Sequence, residues 1–145
     1  MDILFSFDIF SYEKYGGISR YYVELQKHLN KIKYHDDNFT LSPGIHINEY
    51  IKDKGFKIYN FKGRSRVTNF FNIYNENILL KKSTNTIFHK TYYSNYNLDN
   101  KNPKILTIYD LIDEKFNANN NIVKKIIKNK IDLCNKVDKI IAISN

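Results

Sequence analysis

Short, continuously apolar runs that alternate with segments of helical periodicity are the feature that most constrains how this chain folds. Runs of this kind are typical of strands buried on both faces of a sheet, and helices between them are typical of the connections between parallel strands. The predicted strands are residues 2–8, 39–41, 57–61, 86–89, 104–110 and 139–144.

Apolar residues between these strands recur at intervals of three and four, which predicts amphipathic helices. We expect helices over 17–33 and 64–82, a shorter one over 48–54 with Gly55 as its C-terminal cap, and a last helix before the final strand. The sequence thus predicts one α/β domain over 1–145, with a doubly wound, mostly parallel Rossmann-like sheet and helices on both faces. The apolar positions are Ile18, Tyr21, Tyr22, Leu25, Leu29 and Ile32; Val67, Phe70, Phe71, Tyr74 and Ile78; and Val123, Ile126, Ile127, Ile131 and Cys134.

The formal net charge is +8, and almost all of the positive charge comes from lysine. Lysines spread along a chain usually mark solvated faces, but they also attract anionic partners, and the composition leaves both explanations open.

Cys134 is the only cysteine, which excludes an intramolecular disulfide and a cysteine-based metal site. No basic segment precedes the first apolar run, and no apolar stretch approaches the ~20 residues of a membrane span. We therefore expect a cytoplasmic protein.

A glycine pair, Gly16 and Gly17, stands between the first strand and the first long helix. Glycines there let the backbone approach a ligand closely, and the free N–H groups of the helix start favour an anion such as phosphate. Two glycines can equally make a tight turn. The pair alone does not decide between these explanations.

Ligands of doubly wound sheets bind beyond the carboxyl ends of the strands, where His89 and Asp110 end two predicted strands. His89 could donate to a sugar hydroxyl or phosphate, or it could be structural. Asp110 could accept from hydroxyls, or it could cap the next segment. The usual phosphate-loop and dinucleotide motifs and any Asp-x-Asp are absent, and the histidines lack metal-ligand spacing. We expect no metal and no bound cofactor.

Four segments, taken in order, resemble the N-terminal domain of family 4 glycosyltransferases, which have the two-domain GT-B fold. The first resembles the glycine-rich loop of that family, and the others resemble its F-H-x-T-Y-Y, T-I-H-D-M-I-x-E and D-K-I-I-A-I-S segments. Tyr109 stands where the family pattern has histidine. The segments are 14–22 (KYGGISRYY), 88–93 (FHKTYY), 107–114 (TIYDLIDE) and 137–145 (VDKIIAISN).

The resemblance implies a retaining transfer of a hexose from a nucleotide diphosphate sugar to a surface glycan or lipid-linked acceptor, without a metal. It implies that the chain is the acceptor-side half, truncated before the nucleotide-sugar domain and inactive alone. The alternatives are a fragment, a truncated reading frame and one subunit of a split enzyme with a separate C-terminal-half polypeptide. The implied roles are diphosphate binding for Gly16, Gly17 and Arg20, catalysis for His89 and Asp110, and acceptor binding for Tyr92, Tyr93 and Tyr109.

The alternative function is a non-catalytic basic α/β module that binds an anionic membrane or phosphorylated ligands. Lysines clustered around 124–130 and 136–139 would support peripheral contact with an anionic membrane. Nucleic-acid binding is not expected, because no known motif is present and arginine is scarce.

Overall fold

The structure is a computed structural model that describes residues 1–32, 36–42, 44–58, 64–82, 85–116 and 120–143. It contains a five-stranded sheet, a separate two-stranded sheet and helices that flank the larger sheet. The strands are β1 (Asp2–Phe5), β2 (Asn38–Leu41), β3 (Ile45–His46), β4 (Phe56–Lys57), β5 (Thr86–Lys90), β6 (Lys104–Ile108) and β7 (Lys139–Ala142). The helices are α1 (Asp8–Tyr12), α2 (Gly17–Ile32), α3 (Arg64–Lys82), α4 (Ile112–Phe116) and α5 (Asn121–Cys134).

The larger sheet has the strand order β2-β1-β5-β6-β7, and every neighbouring pair is parallel. β1 is paired with β2 on one side and with β5 on the other, so the direction of winding reverses between β1 and β5. This reversal is a topological switch point, the usual ligand-binding position of such sheets. β3 and β4 form the small parallel sheet. The predicted α/β class with a parallel Rossmann-like sheet is confirmed.

Helices cover both faces of the sheet, because successive strand residues point to opposite sides. Phe5 of β1 packs in one apolar cluster with Tyr22 and Val23 of α2. The preceding residue, Leu4, packs on the other side with Leu80 of α3. On that second side, α5 packs through Leu133 against Leu106 of β6, as the strand register requires. Two apolar layers thus hold the sheet between α2 and the pair α3 and α5.

Three local predictions were wrong. The strand predicted over 2–8 ends at Phe5, and 8–12 forms α1, because an apolar run buried on all sides suits a helix as well as a strand. The helix predicted over 48–54 is a turn, in which the Asn48 side chain accepts the Tyr50 N–H and competes with helical hydrogen bonds. Gly55 does have a left-handed backbone (φ +63°), but it precedes β4 and caps no helix.

Other boundaries differ by a few residues. The strand predicted over 104–110 ends at Ile108, and β3 and α4 were not predicted. The strand predicted over 57–61 is represented by β4, with 59–61 outside the described residues. The helix predicted over 17–33 is confirmed to Ile32, and residue 33 lies outside the described part. The strand predicted over 139–144 ends at Ala142, because Ile143 lies in a bend, and residue 144 is outside the described part.

The helix predicted over 64–82 is confirmed as α3, but its apolar residues face outward. Val67, Phe70, Phe71 and Tyr74 are exposed, whereas the row Thr68, Asn72, Glu76 and Leu80 is buried. α3 is the longest helix described, and neither it nor another described helix is long and apolar enough to cross a membrane.

Candidate functional site

The carboxyl ends of β1 and β5 are joined at the switch point by hydrogen bonds between Ser6 and Thr91, the residues that follow the two strands. The Thr91 N–H donates to Ser6 Oγ at 2.9 Å, and Thr91 Oγ1 donates to the Ser6 carbonyl at 3.0 Å. Thr91 Oγ1 also accepts the Ile9 N–H, which fixes the start of α1. These bonds tie the ends of the two strands together at the switch point.

A network of hydroxyls and an imidazole links α2, β5 and β6 next to this point. His89 Nε2 lies 2.9 Å from Thr107 Oγ1 and 3.5 Å from the Tyr22 hydroxyl. The Tyr22 hydroxyl lies 2.6 Å from that of Tyr109, which in turn is 3.1 Å from the Thr91 carbonyl. Residues from three of the four segments that carry the family resemblance thus meet in one hydrogen-bonded chain.

Burial decides the charge state of this network. It lowers the pKa of His89 to about 4, so the imidazole is neutral at pH 7. It also raises the pKa of the Tyr22 and Tyr109 hydroxyls well above their usual value, which keeps both protonated. His89 is only 4% exposed. The imidazole of His89, predicted to be catalytic, thus contacts the Tyr22 hydroxyl, which in turn contacts that of Tyr109. Tyr109 lies at the outer end of this chain of hydrogen bonds and is the most exposed of the three residues.

A buried ionic cluster lies beside the switch point. Lys90 Nζ is 2.6 Å from Asp8 Oδ2, and both side chains are at most 1% exposed. Ser94 Oγ donates to Asp8 Oδ1 at 2.7 Å and accepts from Lys90 Nζ at 2.9 Å. Nearby, buried Glu76 accepts the Phe7 N–H, and its burial raises its pKa to about 7. The charges are satisfied internally, so this cluster sets the geometry of the strand ends.

The sequence did not identify Lys90 or Glu76 as members of a cluster. The only signal for Lys90 is its position at the end of the apolar run of β5, where a buried lysine needs an acidic partner. Glu76 lies on the face of α3 opposite the apolar residues, where a solvated side chain is the ordinary expectation.

The predicted diphosphate-binding residues lie at the start of α2. Neither Gly16 nor Gly17 has a left-handed backbone, and a Cβ added at Gly17 would meet no atom within 4 Å. The space over Gly17 is therefore open. Glu13 extends a carboxylate to the helix start, where Oε2 accepts the Ser19 N–H at 3.3 Å. This is the interaction that an anion makes with a helix N-terminus, so a bound diphosphate would replace the Glu13 carboxylate. Arg20 is exposed in the same turn.

Asp110 lies on the open side of the same edge. Its Oδ1 accepts the Ile112 N–H at 3.2 Å at the start of α4, which is the capping contact considered from the sequence. The carboxylate is nevertheless exposed and lines a cavity of about 450 Å³ beyond the ends of β6 and β7. Ile108, Leu111, Ile112, Lys115, Phe116 and Ala142 form the rest of its wall.

Lys130 of α5 fixes the peptide chain around Asp110. Its Nζ donates to the Asp110 carbonyl at 3.1 Å, lies 2.8 Å from Glu114 Oε1, and lies 4.7 Å from the ring centre of Tyr93. The Tyr93 hydroxyl accepts the Tyr109 N–H at 3.4 Å. Lys130 falls within the lysine cluster noted in the sequence, but it is buried and ion-paired, and thus differs from its exposed neighbours.

The predicted acceptor residues are brought together as a group of tilted and edge-on rings. Tyr92 and Tyr93 have ring centres 5.0 Å apart, and Tyr93 and Tyr109 have ring centres 6.3 Å apart. Tyr21 of α2 lies edge-on to Tyr109 at 6.4 Å. Through Tyr21 and Tyr22, the helix that begins at the glycine pair contacts the tyrosine cluster. Aromatic faces and hydroxyls of this kind suit a sugar, which presents both C–H and O–H groups.

Within the described ranges, no three His, Cys, Asp or Glu side chains converge to hold a metal ion. Comparison with known proteins found no matching family model, no matching curated protein and no matching solved structure.

Proposed function

We propose that this chain is the acceptor-side half of a retaining glycosyltransferase, which acts in the cytoplasm on a nucleotide diphosphate sugar and a glycan or lipid-linked acceptor. The observation that carries the proposal is the hydrogen-bonded chain His89–Tyr22–Tyr109, with its 2.6 Å contact between the two tyrosine hydroxyls. It joins residues of three resemblance segments at the ligand-binding edge of a parallel sheet. The carboxyl ends of parallel strands share one edge, so this placement supports a ligand site there.

In this proposal the acceptor enters the cavity beside Asp110. The exposed carboxylate accepts from an acceptor hydroxyl, and the lining side chains Leu111, Ile112 and Phe116 contact the apolar parts of the acceptor. Tyr109 replaces the histidine of the family pattern, and its protonated hydroxyl contributes a hydrogen bond but no positive charge. Its role is therefore to position the acceptor.

The donor diphosphate would lie over Gly17, where the space is open, with Arg20 and the start of α2 stabilising the charge that develops on it. Glu13 would leave the helix start as the diphosphate arrives. Catalysis by positioning requires a second wall that holds the nucleotide sugar, and we propose that residues 1–145 supply only the acceptor-side wall. A polypeptide of residues 1–145 without the second wall should give no turnover.

A titration monitored by amide NMR of the isotope-labelled chain tests this proposal. The probes are uridine and guanosine diphosphates and a panel of hexoses and disaccharides. We expect the diphosphates to shift the amides of Gly16 and Gly17, and at least one sugar to shift those of Tyr109 and Asp110. A panel that shifts neither group, or that shifts amides elsewhere, would contradict the proposal.

Asp110→Asn is the matched variant for the sugar titration, because asparagine retains the cap of α4 and removes the charge. Asp99→Asn, at an exposed position ahead of β6, is the control. We expect sugar binding to weaken about tenfold in Asp110→Asn, which is the size of one charge-assisted hydrogen bond. Asp99→Asn should leave sugar binding unchanged. A transfer assay with the chain alone completes the test, and robust turnover would refute the half-enzyme part of the proposal.

A further inference from the structure

The outward face of α3 is an apolar stripe, which we define as Val67, Phe70, Phe71, Tyr74 and Ile78. All five side chains are at least 36% exposed, and Phe70 reaches 69%. They follow one another at the spacing of a single helix face, over a length of ~16 Å at about 1.5 Å per residue. A contiguous exposed patch of this kind marks an interaction surface.

The outward orientation of the stripe is fixed by the polar residues on the opposite side of the helix. Asn72 accepts the Ile45 N–H at 2.6 Å and donates to the Ile45 carbonyl and to Ser11 Oγ. Glu76 accepts from the Phe7 N–H and from Asn97. Rotating α3 to bury the stripe would break all these bonds and expose the inner row, at a cost of several buried hydrogen bonds. The stripe is therefore a stable part of the surface.

The charges along the stripe have one sign. Arg66 precedes it, and Lys81 and Lys82 follow it in the last turn, all three exposed. Glu76 is the only acidic residue of α3, and it is fully buried. At about 100° per residue, Lys81 and Lys82 lie on the same side of the helix as the stripe. Basic residues at both ends of an apolar helix face are typical of helices that lie in the surface of an anionic bilayer.

Phe56 of the small sheet extends the same surface. Its side chain is 76% exposed, and it lines a cavity of about 340 Å³ together with Phe71 and Tyr74 of α3. The apolar surface thus continues from the helix into an adjacent groove.

We infer that the α3 stripe docks on an anionic lipid surface, with the helix axis parallel to the membrane plane and the aromatic rings at the level of the headgroups. A second copy of the chain seated on the stripe would bring the basic ends of two α3 helices together, whereas an anionic lipid surface complements Arg66, Lys81 and Lys82. The inference does not depend on the transferase proposal, because no stripe residue belongs to the candidate site.

Vesicle cosedimentation of the full chain tests the inference at about 0.15 M salt, where exposed charges are screened beyond ~8 Å. We expect binding to vesicles of phosphatidylcholine mixed equally with phosphatidylglycerol, and little binding to phosphatidylcholine alone. The double variant Phe70→Ser/Phe71→Ser should bind at least ~30-fold more weakly, because it lacks the favourable free energy of transferring two aromatic rings from water to the lipid surface. Its matched control, Ile122→Ser/Ile131→Ser on exposed positions of α5, should bind within twofold of wild type.

Lysine variants distinguish α3 from the other basic helix. Lys81→Gln/Lys82→Gln should weaken binding about fivefold per lysine, and Lys124→Gln/Lys125→Gln on α5 should not. The chain has no tryptophan, so Phe70→Trp provides a single fluorescent reporter. Its emission should shift to shorter wavelength and be quenched by brominated lipid, whereas Ile122→Trp should do neither.

Two results of the vesicle assay would overturn the inference: equal binding to neutral and anionic vesicles, or a greater loss of binding in the α5 variants than in the α3 variants. A Phe70→Trp emission that does not shift in the presence of anionic vesicles would also overturn it. So would a dimer in light scattering that the Phe70→Ser/Phe71→Ser substitutions dissociate.

Discussion

Lys90→Met is the substitution that most directly tests how the strand ends are held. Lys90 and Asp8 form an ion pair of 2.6 Å, and both side chains are out of contact with water. Methionine fills a similar volume but leaves Asp8 without its cation, beside the buried Glu76. Removing one partner of a buried pair costs about 3–5 kcal/mol, a large part of the ~5–15 kcal/mol that stabilises a typical domain.

The assay is equilibrium unfolding in urea, followed by circular dichroism at pH 7, with Lys27→Met as the control. Lys27 pairs with Glu24 at 2.9 Å, but both side chains are about 60% exposed, so the control should lose less than about 1 kcal/mol. The double variant Lys90→Met/Asp8→Leu should recover part of the loss, because an apolar pair replaces an unpaired charge. A loss below about 1 kcal/mol in Lys90→Met would refute the argument that this pair holds the strand ends together.

Two further predictions concern acidity and the glycine pair. Burial raises the pKa of Glu76 from 4.5 to about 7. The protonated carboxyl therefore stabilises the fold fully below pH 4.5, and this stabilisation is lost as the pH rises to 7. The free energy involved is on the order of 3 kcal/mol. The effect of His89 on the pH dependence of stability is opposite, because burial lowers its pKa to about 4. The neutral imidazole stabilises the fold above pH 6.5, and this stabilisation is lost as the pH falls to about 4. Melting temperatures between pH 4 and 7 should therefore fall more steeply on acidification in Glu76→Gln than in wild type, and less steeply in His89→Gln; parallel curves would contradict both assignments. Gly17→Ala should keep or raise the melting temperature, because the Cβ meets no neighbour and alanine favours a helix, yet it should weaken diphosphate binding in the NMR titration. Unchanged binding would favour the tight-turn explanation for the glycine pair.

The candidate site shows how far the positions and roles of single residues could be predicted from the sequence. The sequence placed Asp110 at a strand end and considered a cap, and the structure has that cap together with an exposed carboxylate. It placed His89 at a strand end too, but could not show that Tyr22 and Thr107 enclose the imidazole. Glu13 was not predicted at the start of α2, because its reach to Ser19 depends on the path of the loop between them.

The α3 helix marks the same limit for the fold. Periodicity predicted that 64–82 is helical, but the side of the helix that faces the sheet was decided by partners elsewhere in the chain. Asn72 and Glu76 are buried because Ile45, Ser11, Phe7 and Asn97 offer them hydrogen bonds in the folded state. A hydrophobic pattern contains no information about such partners.

The sequence by itself determined the α/β class and the approximate positions of the long helices and of all five strands of the main sheet, because burial imposes a local period on each element. It also placed Gly17, His89 and Asp110 at the ends of strands or the start of a helix. Only the tertiary structure decided the switch point between β1 and β5, the burial of Lys90 and the outward face of α3. These depend on contacts between residues that are distant in the chain, and such contacts form only when several elements pack together.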